Sequence, residues 1–292
     1  MVGDFYYTIY TLCLHSKDLR KPDDLITTFH LNPLVFPKKF ERAISGSGQE
    51  YRRIRTLHSS SLISLLCFYS ISEENPLTLR IENHDVKFTD SIFEEKNTIA
   101  EDNNGEKHES NMDVVLFGED VNTGKRVVFY LESKFSEYLS WGKYRKISSR
   151  VYEKIYDDLY NGKYLERMGL KFEDTPGIPG YFDLMAIKGR THHYAGGFKQ
   201  MISHFLGVKN IAESGKYSDC DIYLGEILFR FNETIDPKEK KLKDYFGLYE
   251  VLAEGLNSLS ESKFKVVGHC LTYQDVFRNF NLDESVHYFY SL

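Results

Sequence analysis

The strongest constraint on the fold of this chain is a pair of apolar segments separated by a short turn. Met112–Phe117 and Arg126–Leu131 lie on either side of the turn-like stretch Val121–Gly124. This pattern predicts an antiparallel β-hairpin, because two strand-like runs that bracket Asn and Gly residues can close on each other in a tight turn. Asp113 and Glu132 are equally distant from the centre of the turn, so a symmetric register places them opposite each other.

A symmetric register has a chemical consequence. Opposed residues of an antiparallel pair have Cβ atoms roughly 4.5–5.5 Å apart. Lys134 follows Glu132 by two residues and therefore shares its face of the strand. Two carboxylates and one ammonium group suit a divalent metal that activates water beside a phosphate. We therefore expect Asp113 and Glu132 to hold a metal, the backbone carbonyl of Ser133 to add an oxygen ligand, and Lys134 to serve the water or the phosphate.

The Glu-x-Lys triplet alone is weak evidence, because it recurs as Glu94-x-Lys96, Glu239-x-Lys241 and Glu261-x-Lys263. The last copy even repeats the letters Glu-Ser-Lys-Phe. Glu132 differs because it ends an apolar strand that pairs with another strand carrying an acid. An ordinary surface hairpin is the alternative interpretation.

Composition narrows the class of protein. The 292 residues are 41% hydrophobic and 27% charged, which is typical of a globular protein and not of a disordered one. The four cysteines are scattered without metal-ligand spacing, which favours reduced thiols in a cytoplasmic protein. The apolar run Phe5–Leu14 is too short to cross a membrane, so no membrane association is expected. The net charge of −6 counts mildly against a nucleic-acid binder, although local charge matters more than the sum.

Strand-like and helix-like patterns alternate along the chain and predict an α/β fold with a mixed sheet covered by helices. We expect residues 51–292 to form a single domain and residues 1–50 to form an extension or cap. Further strands are predicted at Leu77–Lys87, Thr89–Ile99, Asp221–Phe231 and Phe264–Leu271. Helices are predicted at Leu57–Phe68, Ser140–Tyr160, around Phe198–Leu206, at Asp244–Leu259 and at Tyr273–Phe280.

The hairpin with Asp113 and Glu132-Ser133-Lys134 resembles the PD-(D/E)XK nuclease superfamily, which has the restriction-endonuclease-like fold. That family has a mixed four-stranded core sheet flanked by helices, with the acid on the second core strand and Glu-x-Lys on the third. Asn111-Met112 stands where a proline often precedes the acid. The resemblance covers about residues 50–235 and implies a deoxyribonuclease that uses Mg²⁺ or Mn²⁺ on DNA. A homodimer is common in the family, although nothing in this sequence fixes the oligomeric state.

Many members of this family carry another acid ahead of the hairpin. Glu95 is the expected metal ligand here, with Glu94 and Glu82 as alternatives. Strand alternation would place only one of Glu94 and Glu95 on the face of the site. A solvated strand edge is the competing interpretation of both.

The helix around Phe198–Leu206 carries Gln200 and His204 four residues apart. RecB-like members of the family have Gln-x-x-x-Tyr on the corresponding helix, and His204 replaces the Tyr. The resemblance implies that Gln200 holds the attacking water or a phosphate, whereas the alternative is a polar helix edge. Gly207 is expected to help terminate the helix.

The predicted helix Ser140–Tyr160 carries Lys143, Arg145, Lys146 and Arg150, which we expect to contact the phosphate backbone of DNA. A solvated charged face is the alternative. The leading hypothesis is thus a metal-dependent nuclease acting on DNA. The rival is a catalytically inactive protein on the same scaffold that binds nucleic acid or a protein.

Overall fold

The computed structural model describes residues 22–32, 34–45, 56–101, 104–136, 148–188, 195–231 and 236–290. The helices are α1 (Pro22–Thr28), α2 (Pro37–Ser45), α3 (Ser60–Phe68), α4 (Glu153–Asn161), α5 (Tyr164–Arg167), α6 (Ala195–Ser214), α7 (Asp236–Leu259), α8 (Tyr273–Asn279) and α9 (Glu284–Tyr290). The strands are β1 (Leu77–Ile81), β2 (His84–Glu101), β3 (Lys107–Asp120), β4 (Arg126–Lys134), β5 (Ser148–Ser149), β6 (Leu170–Asp174), β7 (Tyr181–Ala186), β8 (Cys220–Leu228), β9 (Lys265–Val266) and β10 (Leu271–Thr272).

A seven-stranded mixed sheet organises the described part of the chain, which is an α/β fold as predicted. The strand order is β1-β2-β3-β4-β8-β10, and β9 also pairs with β8. Neighbours from β1 to β4 are antiparallel, whereas β8 is parallel to β4, β9 and β10. The change of direction at β4 follows from the chain path, because a long segment that includes α6 separates β4 from β8.

The predicted hairpin is confirmed, and its register is symmetric. Pairing between β3 and β4 runs from Val114 opposite Leu131 to Glu119 opposite Arg126. Asp120 stabilises the turn. Its side chain accepts hydrogen bonds from the backbone N–H groups of Asn122 and Thr123, at 2.9 and 2.8 Å. A side chain that satisfies backbone donors in this way fixes the turn and hence the register of the strands.

Helices cover both faces of the sheet near β4. The side chain of Ser133 contacts Ser60 of α3 and Tyr273 of α8, whereas Lys134 contacts Gln200 of α6. Successive residues of a strand point to opposite faces, so α3 and α8 lie on one face and α6 lies on the other.

A small second sheet was not predicted. Strands β5, β7 and β6 form it in that order, within the segment between β4 and α6. The predicted helix Ser140–Tyr160 is confirmed only from Glu153 onward, where α4 begins. It is wrong at Ser148 and Ser149, which pair with Phe182 and Tyr181, and at the 3₁₀ turn that follows them. The partner strand lies about 30 residues further along the chain, so a local pattern carries no information about this pairing.

Two other strand predictions also needed correction. The predicted strand Leu77–Lys87 is divided at Glu82, whose left-handed φ of 54° turns the chain between β1 and β2. Strand β2 then runs unbroken from His84 to Glu101, across the point where the sequence predicted a separation from Thr89–Ile99. The predicted strand Phe264–Leu271 is instead two short strands, since the intervening Gly268 donates its N–H to Glu82 at 2.7 Å.

The described part of residues 1–50 packs against the sheet domain. Leu25 and Phe29 of this segment are buried in the same core as the sheet. Lys39 of α2 makes an ion pair with Asp90 of β2 at 2.8 Å. Across the described residues, each helix is too short or too polar to cross a membrane.

Candidate functional site

The site is built where β3 and β4 leave their regular pairing. Asp113 and Glu132 stand one step beyond the last paired residues, Val114 and Leu131, and would be opposite each other in the same register. The carboxylate of Asp113 bends back over β4, where its Oδ2 accepts a hydrogen bond from the backbone N–H of Ser133 at 2.7 Å. The sequence prediction that the two acids converge agrees with this geometry.

Glu132 is buried, with 2% of its surface exposed, and both of its oxygens have close polar contacts. Lys134 donates a hydrogen bond to Oε1. His204 places Nε2 at 2.8 Å from Oε2. Burial alone would raise the pKa of Glu132, but Lys134 and His204 outweigh it and lower that pKa to about 2. The carboxylate is therefore ionised at every physiological pH.

Asp113 has the opposite electrostatic situation. Burial raises its pKa well above the ordinary value, and the negative charges of Glu132 and Glu94 raise it further. Lys134 and the N–H of Ser133 act in the other direction without compensating. The positive charge beside Asp113 is thus too small to offset its burial and the two acids that act on it, and a bound cation would relieve this imbalance.

Helix α6 holds the other side of the site. Lys134, which is 4% exposed, donates a second hydrogen bond to Gln200 Oε1 at 2.7 Å. Gln200 and His204 lie on consecutive turns of α6 and contact Lys134 and Glu132 respectively. Gln200 therefore touches the site, as the sequence predicts, although it holds the lysine.

A glycine sets how closely α6 approaches the sheet. A Cβ atom on Gly207 would lie 2.8 Å from both Asn97 Cβ of β2 and Ser110 Oγ of β3. Gly207 does not terminate the helix, which continues to Ser214. The prediction of a helix end there is wrong, because the absence of a side chain serves the packing of α6 on the sheet and not a C-cap.

The acid ahead of the hairpin is Glu94 in this geometry. Its charge acts on Asp113, and its backbone φ of 51° is left-handed in the middle of a strand. Glu95 instead contacts Arg42 at 3.0 Å and Lys216 at 3.8 Å. Glu82 is occupied at the β1–β2 turn, where it accepts the N–H of Gly268. The structure therefore favours Glu94 over Glu95 as the third carboxylate.

Ser133 presents only its backbone to the site. Its hydroxyl lies on the far face of β4, 2.6 Å from the hydroxyl of Tyr273, and donates to the carbonyl of Ser60 at 3.0 Å. The N–H and C=O of one strand residue point to the same edge. Because the N–H of Ser133 faces Asp113, the carbonyl faces it as well. This orientation agrees with the predicted role of the carbonyl as an oxygen ligand.

The expected DNA-contacting residues are only partly described. Lys143, Arg145 and Lys146 lie outside the described residues. Arg150 is exposed in the 3₁₀ turn, with its side chain against Gly180. Sequence reasoning missed a cation–π pair next to Gln200 on α6: Lys199 Nζ lies 5.6 Å from the centre of the Tyr152 ring, and burial lowers the pKa of this lysine. No local signal links these two residues, since they meet only through the fold.

A hard divalent cation requires oxygen ligands. Mg²⁺ is usually bound through one or two carboxylates and keeps several waters. Asp113, Glu132 and the Ser133 carbonyl provide oxygen ligands of the type that Mg²⁺ prefers. Within the described ranges, no group of three or more His, Cys, Asp or Glu side chains is arranged to hold a metal ion. The residues therefore fit a cation that is partly coordinated by water or substrate, and not one fully enclosed by protein.

Comparison of the chain with known protein families, with curated proteins and with solved structures finds no match.

Proposed function

We propose that this protein is a metal-dependent phosphodiesterase that hydrolyses DNA by attack of water on a backbone phosphate. The observation that carries the proposal is the convergence of Asp113 and Glu132, with Lys134 buried beside them. A surface hairpin would not bury Glu132 and Lys134, because burying ionised groups is costly unless they are paired or serve a function.

The order of the strands supports a restriction-endonuclease-like fold. Strands β2, β3, β4 and β8 are adjacent in the sheet, with β8 parallel to β4. Asp113 then lies on the second of these four strands and Glu132-Ser133-Lys134 on the third, as the resemblance to PD-(D/E)XK nucleases implies. Helix α6 immediately precedes the fourth of these strands along the chain and supplies Gln200.

Each side chain has a distinct role in this proposal. Asp113, Glu132 and the Ser133 carbonyl would hold the cation, with Glu94 as a further acid on its water shell. When bound, the cation would neutralise charge on the phosphate and lower the pKa of the attacking water. Lys134 directs its ammonium group to the attacking water or to the negative charge that develops on the phosphate. Gln200 fixes the position of that ammonium group by accepting one of its hydrogen bonds.

DNA is the substrate that the surrounding cations support. Lys199 precedes Gln200 on α6, and Arg150 belongs to the 3₁₀ turn whose Tyr152 contacts α6 through Lys199 and Ser203. Positive side chains around an acidic metal site are expected of a protein that positions a phosphate backbone. Tyr152, beneath Lys199, adds an aromatic ring beside a cation, a combination found in proteins that bind single strands.

A second candidate is a catalytically inactive protein on the same scaffold that binds nucleic acid or a protein partner. It is favoured by the contacts of Glu132, whose two oxygens both have a nitrogen-bearing partner already. In this alternative Lys134 and His204 would replace the metal and stabilise the buried carboxylate.

The two candidates are separated by incubating linear and circular DNA with Mg²⁺ or Mn²⁺, with and without EDTA. We expect the wild-type protein to cleave only with metal, and Asp113→Asn and Lys134→Ala to reduce the rate more than about 100-fold. Lys263→Ala is the matched control, because Glu261-Ser262-Lys263 repeats the same triplet on the surface, where Lys263 lies 3.9 Å from Glu261. Full cleavage by folded Asp113→Asn and Lys134→Ala proteins, judged by circular dichroism, would exclude the nuclease.

A further inference from the structure

His204 is the best-placed residue whose contribution is not assigned by the proposed reaction. It is 3% exposed, lies one turn after Gln200 and places Nε2 at 2.8 Å from Glu132 Oε2. The oxygen does not lie along the direction of an Nε2 hydrogen bond, and the buried Nδ1 likewise has no hydrogen-bond partner among the described residues. The contact with Glu132 is therefore the main polar interaction of this imidazole.

The surroundings of Nδ1 limit what His204 can do. A histidine that binds a metal through one nitrogen almost always donates the N–H of the other to a carboxylate, carbonyl or water. In the described part of the chain, Nδ1 has no such acceptor. A proton on Nε2 faces the negatively charged Oε2 of Glu132 at 2.8 Å, whereas a proton on Nδ1 would be buried with no acceptor among the described residues, which is costly. His204 then faces Glu132 as a proton-bearing group and not as a ligand.

The two contacts of Glu132 divide its oxygens between two elements. Lys134, on the same strand, takes Oε1, and His204, on α6, takes Oε2. A carboxylate with one partner can rotate about its last torsion, whereas a carboxylate with a partner on each oxygen is fixed. The close approach of α6 that Gly207 permits, one turn further along, makes the second contact geometrically available.

We propose that His204 is a positioning residue, which holds Oε2 of Glu132 and so fixes the orientation in which this carboxylate meets a divalent cation. The inference rests on the proposed metal-dependent function and extends it to a residue that departs from the Gln-x-x-x-Tyr pattern. Residues that orient a ligand typically contribute 10–100-fold to metal affinity or activity.

A pair of amide substitutions tests the role. The side-chain nitrogen of Gln reaches about as far as Nε2 of His, whereas that of Asn reaches only about as far as Nδ1. His204→Gln should therefore keep the contact with Glu132, and His204→Asn should lose it at nearly equal polarity. Binding of Mn²⁺ to each purified full-length protein is measured by electron paramagnetic resonance of the free ion, and cleavage of linear DNA is measured in parallel.

The expected result is near wild-type Mn²⁺ affinity and cleavage for His204→Gln, with about 10–100-fold weaker binding and slower cleavage for His204→Asn. Equal, wild-type behaviour of both variants would overturn the inference by showing that the imidazole only packs. An equal loss in both folded variants would also overturn it, because the imidazole itself would then be required. Graded Mn²⁺ binding in a wild-type protein that cleaves no DNA would refute the nuclease and leave the positioning role standing. A wild-type protein that binds no Mn²⁺ would overturn both.

Discussion

Glu94 combines an unfavourable backbone conformation with an unfavourable position of its charge. Its φ of 51° lies in the left-handed region, which costs an L-residue roughly 1–2 kcal/mol. Its carboxylate also raises the pKa of Asp113. Strain of this kind persists where the surrounding structure enforces it and is concentrated at functional sites. Glu94 is therefore the residue at which stability and the proposed activity oppose each other most directly.

We expect Glu94→Gly to raise the free energy of unfolding by about 1 kcal/mol, because glycine adopts the left-handed region freely but loses more chain entropy on folding. The same substitution should slow metal-dependent cleavage, since it removes the third acid. Lys163→Gly is the control: Lys163 also has a left-handed φ, of 63°, on the surface ahead of α5. The Lys163→Gly protein should show a similar increase in the free energy of unfolding, measured by urea denaturation, and an unchanged rate of DNA cleavage. A Glu94→Gly protein that is less stable, or as active as wild type, would contradict this account.

The raised pKa of Asp113 makes a prediction about pH. A carboxyl group whose pKa is higher in the folded state stabilises the fold below its unfolded pKa, about 3.9, and loses that contribution as pH rises through the folded pKa. In EDTA, the wild-type protein should therefore lose stability relative to Asp113→Asn as the pH is raised from about 4 towards neutrality. Thermal melting of both proteins across this range is the measurement. Parallel pH profiles would show that Asp113 carries no such penalty.

At the scale of elements, the placement of α6 decides whether Gln200 and His204 reach the site. Gly207→Ala forces a Cβ to 2.8 Å from Asn97 and Ser110, so we expect a loss of about 1–3 kcal/mol of stability and a lower cleavage rate. Gly247→Ala in α7 is the matched control, because no atom lies within 4 Å of the added Cβ. That change should stabilise the protein by up to about 1 kcal/mol through helix propensity. Chemical denaturation of both variants tests the pair, and a neutral Gly207→Ala would refute the close approach.

Elements differ in how well the sequence predicted them. The β3–β4 hairpin was predicted with its register because both strands and the turn are neighbours in sequence. Alternation places only one of Glu94 and Glu95 on the face of the site, and the choice depends on how β2 pairs with β3, which the sequence did not predict. Gly207 was predicted to end its helix because glycine often terminates helices. The neighbouring sequence gives no sign that α6 packs closely against Asn97 of β2.

At the scale of the whole molecule, the mixed α/β class was predictable, whereas the parallel pairing of β4 with β8 and the small β5-β7-β6 sheet were not. Such pairings join residues that are far apart in sequence and depend on how the whole chain packs. The acids of the site were predictable because Asp113 and Glu132 lie on one hairpin. His204, Lys199 and Tyr152 join them only through the fold, so their contributions could be assigned only from the structure.

The central claim is that Asp113 and Glu132 hold one divalent cation. The most direct measurement is anomalous diffraction from crystals of the wild-type protein soaked in Mn²⁺. The account predicts an anomalous peak within about 2.0–2.4 Å of a carboxylate oxygen of each residue, with the Ser133 carbonyl also in reach. A well-ordered site with Lys134 and His204 still on Glu132 and no manganese between the two acids would contradict it.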